Sequence, residues 1–233
     1  MKKYLTLGLA VILTLVATAA TPTDASAQSA GLVSSIINRM ERNRRDLRSL
    51  RASISMEKYD AQIKDSDKRV GTLLYIPGAG NTQAVRIDWR SPQEILAVQD
   101  GKYTLYRPRL KMAYVGDVSS TKSNTKVNSV LGFGLNVSQS QLKTSFEPMQ
   151  YLGEETLWGG VQTSHVKLVP KGRASYSYAE IWVDGSGMPV QTKVIEKNGD
   201  ATTVRLMDVQ RNVQLSKNEF KLDLGADIKR VRG

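Results

Sequence analysis

The sequence predicts a mainly β fold, in which roughly ten or eleven strands follow one another in a single antiparallel meander. From residue 51 onward, apolar and polar residues alternate with a period of two, which is the period of a half-buried strand. Turn-forming pairs such as Asp100-Gly101 recur between the alternating runs, as hairpins require. A meander of this length is expected to form a barrel or a strongly curved sheet.

The chain begins with the layout of a secretory signal peptide. Met1-Lys2-Lys3 is basic, residues 4–20 carry no charge, and Ala25-Ser26-Ala27 is a small-x-small cleavage signal before Gln28. Two alternatives are cleavage after Ala19 and retention of the apolar run as a membrane anchor. We expect the first 27 residues to be removed after export to the periplasm.

Residues 28–233 are then expected to form a single periplasmic domain, and their composition narrows its function. The chain has no cysteine, which excludes disulfides, thiol catalysis and a lipid-modified cysteine. Cleavage lowers the net charge from +11 to +10, because Lys2, Lys3 and Asp24 are lost. Outside the cytoplasm, a basic protein meets anionic lipid or acidic protein surfaces rather than nucleic acid, although the charge also serves solubility alone.

Residues 28–50 are predicted to form one amphipathic helix. Its apolar residues mostly recur at three- and four-residue spacing: Leu32, Ile36, Ile37, Met40, Leu47 and Leu50. Another face carries a basic stripe: Arg39, Arg42, Arg45 and Arg48. This stripe is either a solvated surface or a contact with a membrane or a partner.

The strands are predicted in two groups. The first group comprises residues 51–57, 69–76, 85–89, 94–99 and 102–107, and residues 109–115 continue the meander. The second comprises residues 146–157, 161–169, 174–183, 188–197, 201–213 and 220–224, with one helical turn at 216–219. Asp184-Gly185-Ser186-Gly187 and Asn198-Gly199-Asp200 are predicted hairpin turns in the second group.

The two groups are separated by a segment that breaks the pattern. Residues 117–129 are rich in Ser, Thr, Asn and Lys, and residues 127–137 form an apolar run interrupted by two glycines. We predict a short helix in this run, either a mobile lid or a fixed core helix, and a second helical turn at 138–142. A sheet too open to fill itself leaves a concave apolar face that suits acyl chains. The alternative is that the helices complete a dry core.

The sequence has little that supports catalysis. His165 is the single histidine, and its neighbour Ser164 is expected to point to the opposite face of a strand. With one histidine and no cysteine, a zinc site is not expected, and neither is any other cofactor. No Gly-x-Ser-x-Gly elbow occurs, and the acidic residues are scattered. We therefore predict that the protein is not an enzyme.

Several motifs, in their order along the chain, resemble the LolA family of periplasmic lipoprotein carriers. They are Val85-Arg86-Ile87-Asp88-Trp89-Arg90-Ser91-Pro92, Gln99-Asp100-Gly101-Lys102, Tyr106-Arg107-Pro108-Arg109-Leu110, Asp184-Gly185 with Met188-Pro189, and Asn218-Glu219-Phe220. The resemblance covers most of residues 33–231, and its specificity comes from the order of the motifs. One departure is Ile76 before Pro77, where the family carriers often place an arginine that holds the lid.

The resemblance implies an open, incomplete antiparallel barrel with helices forming a lid over an apolar cavity. It implies a monomeric, non-enzymatic carrier that takes acyl chains of lipoproteins, or another lipid, from an inner-membrane ABC-type exporter to an outer-membrane receptor. The absence of a lipidation cysteine fits the soluble carrier rather than the lipid-anchored receptor. The departure at Ile76 leaves the lid lock unassigned and keeps a glycolipid or hopanoid cargo as an alternative.

The residues expected to form the site fall into three sets. The cavity set is Ile54, Met56, Leu74, Ile87, Trp89, Leu96, Val98, Tyr106, Tyr178 and Trp182. The lid set is Ile36, Met40, Val130, Leu131, Phe133 and Leu135, and Arg86 is expected to make a polar contact at the rim. Rival functions are a lipid-responsive sensor that binds a membrane anti-sigma factor, an adaptor that uses the basic stripe, and an enzyme acting on lipid through His165.

Overall fold

The computed structural model of the chain describes residues 23–78, 83–118, 135 and 137–232, with side chains from Ser29 onward, and places twelve strands in one sheet. The strands are β1 Leu50–Asp60, β2 Asp65–Ile76, β3 Ala84–Arg90, β4 Gln93–Gln99, β5 Lys102–Arg107, β6 Met112–Asp117, β7 Gln150–Leu157, β8 Val161–Leu168, β9 Tyr176–Asp184, β10 Pro189–Glu196, β11 Ala201–Arg211 and β12 Lys229–Arg232. The helices within the described ranges are α1 Thr23–Asp46 and α2 Gln139–Ser145, with short 3-10 helices at Pro108–Leu110 and Lys217–Phe220. The predicted mainly β class is confirmed.

The sheet consists of two antiparallel meanders that lie side by side, β1–β6 and β7–β11. They join because β1 pairs with β11 as well as with β2, so that Ile54 stands opposite both Leu206 and Gly71. The predicted single antiparallel meander is thus divided into two, and an additional strand, β12, pairs in parallel with β6. Among the described residues, β7 and β12 are the two edges of the sheet, which therefore remains an open, incomplete barrel.

Residues with positive φ close the hairpins, as the turn chemistry predicts. Asp100 and Gly101 have φ values of 51° and 74°, which suit a type I′ turn. Gly187 and Gly199 have φ values of 87° and 90° in the turns on either side of β10. A Cβ atom on Gly187 would lie 2.2 Å from the carbonyl oxygen of Arg39 in α1. Glycine therefore allows this turn to contact the helix backbone directly.

Helix α1 ends at Asp46, four residues before its predicted end. The Leu47 N–H donates to the Asn43 carbonyl oxygen at 2.9 Å, and extended backbone begins at Leu50. Ile36, Met40, Asn43 and Leu47 are all buried, and their spacing places them on one side of the helix. None of the described helices is long and apolar enough to cross a bilayer.

Helix α2 lies where a short helical turn is predicted, and a capping box begins it. The Gln141 N–H donates to the Ser138 hydroxyl at 3.2 Å, and the Ser138 N–H donates to the Gln141 side chain at 2.8 Å. The Gln139 N–H also donates to the Glu41 carboxylate of α1 at 3.3 Å. Hydrogen bonds chiefly from Arg44 lower the pKa of Glu41 from 4.5 to about 2, so the carboxylate that joins the helices stays ionised.

The buried apolar side chains form two clusters. The larger cluster covers one face of β1–β5, includes Leu47, Val118 and Leu135, and extends into the second meander through Leu157, Trp182, Met188, Val190, Val204 and Leu206. The helix-covered cluster joins α1 and α2 to β8 and β9: Ile36, Met40, Leu142, Phe146, Val166, Leu168, Ala179, Ile181 and Val183. The sheet therefore buries apolar residues in both of its halves, and α1 and α2 cover the second half.

The C-terminal residues do not form the strand predicted at 220–224. Phe220 instead ends a 3-10 helix and is 1% exposed. This helix contacts β3 and β4. The Arg86 guanidinium on β3 donates to the Glu219 carbonyl oxygen at 2.9 Å and to the Asp88 carboxylate at 3.0 Å. The prediction failed because a short alternating run cannot reveal that its aromatic residue is buried by a distant strand.

Candidate functional site

The face of the sheet to which each side chain belongs follows from the strand register. Residues that stand directly opposite each other point to the same side. Ile87 on β3 stands opposite Leu73 on β2 and Leu96 on β4. The ladders continue this side to Ile181 on β9, which clusters with Met40 of α1. We call this side the concave face and the other side the convex face.

Six of the residues predicted to line a cavity lie on the concave face, and all six are buried: Ile54, Met56, Ile87, Trp89, Leu96 and Val98. The same face contains further apolar residues that the sequence analysis does not single out: Leu73, Tyr75, Val85, Tyr103 and Leu105. Together they make a continuous apolar surface across the five strands β1–β5.

Leu74 and Tyr106, by contrast, lie on the convex face, so their predicted cavity positions are wrong. Leu74 stands opposite Arg86, and Tyr106 stands opposite Ile95. Residues 73–76 are all apolar, and Tyr106 follows another apolar residue. Periodicity therefore does not determine which of two neighbours points inward, and a shift by one residue exchanges the faces.

Tyr178 and Trp182 alternate with the helix-facing residues of β9, so they too belong to the convex ladder. Trp182 is nevertheless buried, because its indole stacks on the His165 ring at 4.0 Å. Its Nε1–H donates to the Glu155 carboxylate at 2.7 Å. The Tyr178 ring lies 4.1 Å from the Lys167 ammonium. Tyr178 is half-buried on this side of the sheet, whereas Trp182 is buried and belongs to the larger apolar cluster.

His165 lies between two carboxylates and on the opposite face from Ser164. Its Nδ1 lies 3.3 Å from a Glu155 carboxylate oxygen, and its Nε2 lies 3.6 Å from a Glu180 carboxylate oxygen. Ser164 points to the other face, where its hydroxyl accepts a hydrogen bond from Arg39 of α1 at 3.1 Å. The predicted separation of Ser164 and His165 is thus observed. In the part of the chain that the structure describes, no group of three or more side chains could hold a metal ion.

The residues predicted for the lid lie in different parts of the molecule. Ile36 and Met40 are buried, but they cover β8 and β9 rather than the apolar surface of β1–β5. Leu135 is buried in the larger cluster against the concave face of the first meander. Val130, Leu131 and Phe133 lie outside the described residues.

Arg86 does not lie at a rim of the concave face. It stands opposite Leu74 and Ala97 on the convex face and holds the C-terminal 3-10 helix through the Glu219 carbonyl oxygen. The motif carries charges at Arg86 and Asp88 between apolar residues. Because side chains alternate between the two faces of a strand, the position of Ile87 and Trp89 on the concave face requires Arg86 to point to the convex face.

A charged group on the concave face was missed by the sequence analysis. The Arg107 Nε–H donates to the Glu94 carboxylate at 2.8 Å, and Arg69 Nη1 lies 3.8 Å from the other Glu94 oxygen. Glu94 stands opposite Trp89, at the end of the apolar surface. The Arg107 guanidinium also lies over the Tyr114 ring, 5.4 Å from its centroid. The sequence contains a signal for this group, because each of the three charged residues occupies a position that alternation along its strand assigns to the concave face.

Tyr75 places a phenol within the apolar surface. The residue is 1% exposed, and burial raises the pKa of its hydroxyl to about 12. The hydroxyl has no hydrogen-bond partner among the described residues. It therefore remains a protonated donor within an otherwise apolar surface.

Comparisons with known proteins agree with this architecture. The family model described as outer membrane lipoprotein carrier protein LolA matches residues 48–223. An uncharacterized conserved protein from Thermus thermophilus aligns with a TM-score of 0.53 and 12% identity, over 89% of this chain and 99% of that chain. MucB aligns with a TM-score of 0.56 and 13% identity, over 85% of this chain and 65% of that chain. A search of curated proteins finds no match. At these identities, each of the two structures shows only that it shares its fold with this chain.

Proposed function

The chain belongs to the family of LolA outer membrane lipoprotein carrier proteins, and from this premise we propose that its concave face binds the acyl chains of a lipoprotein or of another lipid. The observation that supports this most is the continuous apolar surface of β1–β5, which lies on one side of an open sheet. Proteins of this family bind and carry rather than catalyse, and the surroundings of His165 fit that role.

The chemistry of the concave face suits an amphiphile. Each methylene group buried on an apolar surface stabilises a complex by about 0.8 kcal/mol, so a long chain binds without any specific polar contact. The apolar surface ends at Trp89, where Glu94, Arg69 and Arg107 begin. An acyl chain would lie along the apolar residues, and the polar part of the cargo would face this charged group.

The cellular role follows from the same proposal. Residues 1–27 would direct export, and the domain from Gln28 onward would act as a monomer in the periplasm without a cofactor. An inner-membrane ABC-type exporter would supply the cargo, and an outer-membrane receptor would accept it. A glycolipid or a hopanoid is the alternative cargo.

Trp89 provides a direct test, because it lies on the concave face whereas Trp158 is 82% exposed on a hairpin turn. A brominated fatty acid quenches an indole that it contacts. In the variant Trp158→Phe/Trp182→Phe, Trp89 is the remaining tryptophan, and we expect saturable quenching that unlabelled fatty acid reverses. The matched variant Trp89→Phe/Trp182→Phe retains Trp158 and should show no saturable quenching.

Circular dichroism should first show that both variants keep the wild-type fold, because each loses the hydrogen bond from Trp182 to Glu155. Equal quenching of Trp89 and Trp158, or no quenching of Trp89, would show that acyl chains do not enter the concave face. Native mass spectrometry of the protein purified from a bacterial periplasm would then identify the class of bound cargo. A protein that carries no lipid and takes up no probe would favour the sensor or adaptor function.

A further inference from the structure

A second apolar pocket lies away from the proposed cargo surface, between α1, α2 and the residues that lead into β7. Its volume is about 470 Å³, within the range of about 300–1,000 Å³ that is usual for small-molecule sites. None of its lining residues belongs to the apolar surface of β1–β5. It is therefore a separate site, on the half of the sheet that the helices cover.

The pocket becomes more polar from its floor to its opening. Leu142, Phe146 and Leu168 are buried members of the helix-covered cluster and form the floor. Val33 and Ile37 of α1 are half-buried and form one wall. A molecule that enters can bury an apolar chain against these residues while its other end remains in water.

The opening is basic and is held in place by hydrogen bonds. Lys143 and Lys171 are both exposed lining residues, and the Lys171 ammonium donates to the Lys143 carbonyl oxygen at 3.0 Å. Backbone hydrogen bonds fix the same segments. The Lys171 N–H donates to the Ser145 carbonyl oxygen at 2.9 Å, and the Glu147 N–H donates to the Val169 carbonyl oxygen at 2.8 Å. The two lysines outnumber the single acidic lining residue, Glu147, so the opening favours an anion.

We propose that this pocket binds a single acyl chain that carries an anionic head, either a carboxylate or a phosphate. The chain lies on Leu142, Phe146 and Leu168, and the head faces the ammonium groups of Lys143 and Lys171. This proposal does not rest on the proposed cargo function, because the two sites share no residue and each is measured by its own signal.

Photo-crosslinking locates the ligand directly. Palmitate with a diazirine near the end of its chain should label peptides that contain Leu142 to Met149, with a yield that saturates. The double variant Lys143→Gln/Lys171→Gln should weaken the binding of palmitate by roughly three- to tenfold, which is the effect expected from losing two partly solvated charges. The binding of hexadecanol, which has no charge, should remain unchanged. Lysophosphatidic acid and palmitate, compared as competitors, show whether a phosphate or a carboxylate head is preferred.

Two further variants separate the possible outcomes. Val33→Phe should obstruct the pocket and abolish labelling of this segment, while brominated fatty acid still quenches Trp89. Lys197→Gln/Lys221→Gln removes two exposed lysines outside the pocket and should bind palmitate as the wild type does. The proposal fails if Val33→Phe leaves the labelling unchanged, if both lysine pairs have the same effect, or if hexadecanol binds as tightly as palmitate.

Discussion

Replacing Gly187 by alanine tests whether α1 is held directly against the hairpin turn between β9 and β10. The residue has a φ of +87°, and a Cβ atom there would lie 2.2 Å from the Arg39 carbonyl oxygen and 2.9 Å from the Met40 nitrogen. These are backbone atoms of a helix and cannot move aside as a flexible side chain would. The added methyl group must therefore displace α1 or the turn.

The magnitude of the effect has two parts. A non-glycine residue in the left-handed region costs about 1–2 kcal/mol. Displacing a packed element to accommodate a methyl group costs typically about 1–3 kcal/mol more. Gly187→Ala should therefore destabilise the protein by about 2–5 kcal/mol, a large part of the roughly 5–15 kcal/mol that is usual for a native protein. For a chain of this size, the melting temperature should fall by roughly 4–20 °C.

Gly159→Ala is the matched control, because Gly159 has nearly the same φ, +88°, with nothing within 4 Å of an added Cβ atom. Gly159→Ala should lose only the stability that a non-glycine residue costs in the left-handed region, about 1–2 kcal/mol. Urea unfolding followed by circular dichroism measures both losses, and hydrogen exchange at residues 36–47 reports whether α1 detaches. If both variants lose the same stability, or if α1 exchanges no faster in Gly187→Ala, the close contact between turn and helix is not what holds α1 in place.

Three further substitutions test particular side chains. Arg86→Met should destabilise the protein by about 1.5–3 kcal/mol, because charged hydrogen bonds to the C-terminal 3-10 helix are lost. Amide hydrogen exchange at residues 217–221 should become faster for the same reason. The control Arg90→Met, which replaces an exposed arginine on the same strand, should have neither effect. Glu41→Gln tests a lowered pKa: the wild-type carboxylate contributes stability above pH 4.5, and this contribution is lost as the pH falls towards 2. The variant should lose that part of the pH dependence in acid unfolding, and an unchanged slope would show that Arg44 does not hold the carboxylate. Tyr75→Phe removes a buried hydroxyl without a partner among the described residues, so thermal melting should show equal or higher stability; a loss above about 1 kcal/mol would reveal a missing partner.

The parts of the fold that the sequence predicts well depend on neighbouring residues. Asp100 and Gly101 adopt the positive φ values that their residue types favour, and the β4–β5 hairpin forms there. Ile87 and Trp89 share one face of β3, because the charged residues Arg86 and Asp88 occupy the other phase of the strand. In each case, the deciding contact lies within a few residues along the chain.

The errors occur where the local pattern is ambiguous. Leu73 and Leu74 are chemically equal, and the choice between them is made by Ile87 on the next strand, which stands opposite Leu73. Phe220 lies in a run that is compatible with a strand, but β3 and β4 bury it in a 3-10 helix on the convex face. The ring of Trp182 is covered by His165 rather than by a helix. These choices depend on burial by residues far away in sequence.

The sequence by itself determined that the protein is built from hairpins, where most of its strands run and to which family its motifs are similar, because turn chemistry and alternation act over a few residues. Only the tertiary structure decided that β1 joins the two meanders, that Arg69, Glu94 and Arg107 meet at the end of the apolar surface, and that α1 and α2 enclose a second pocket. The physical reason is that the burial of a side chain and the approach of two charges are properties of pairs of residues, and the distance between such residues along the chain does not show which pairs will meet.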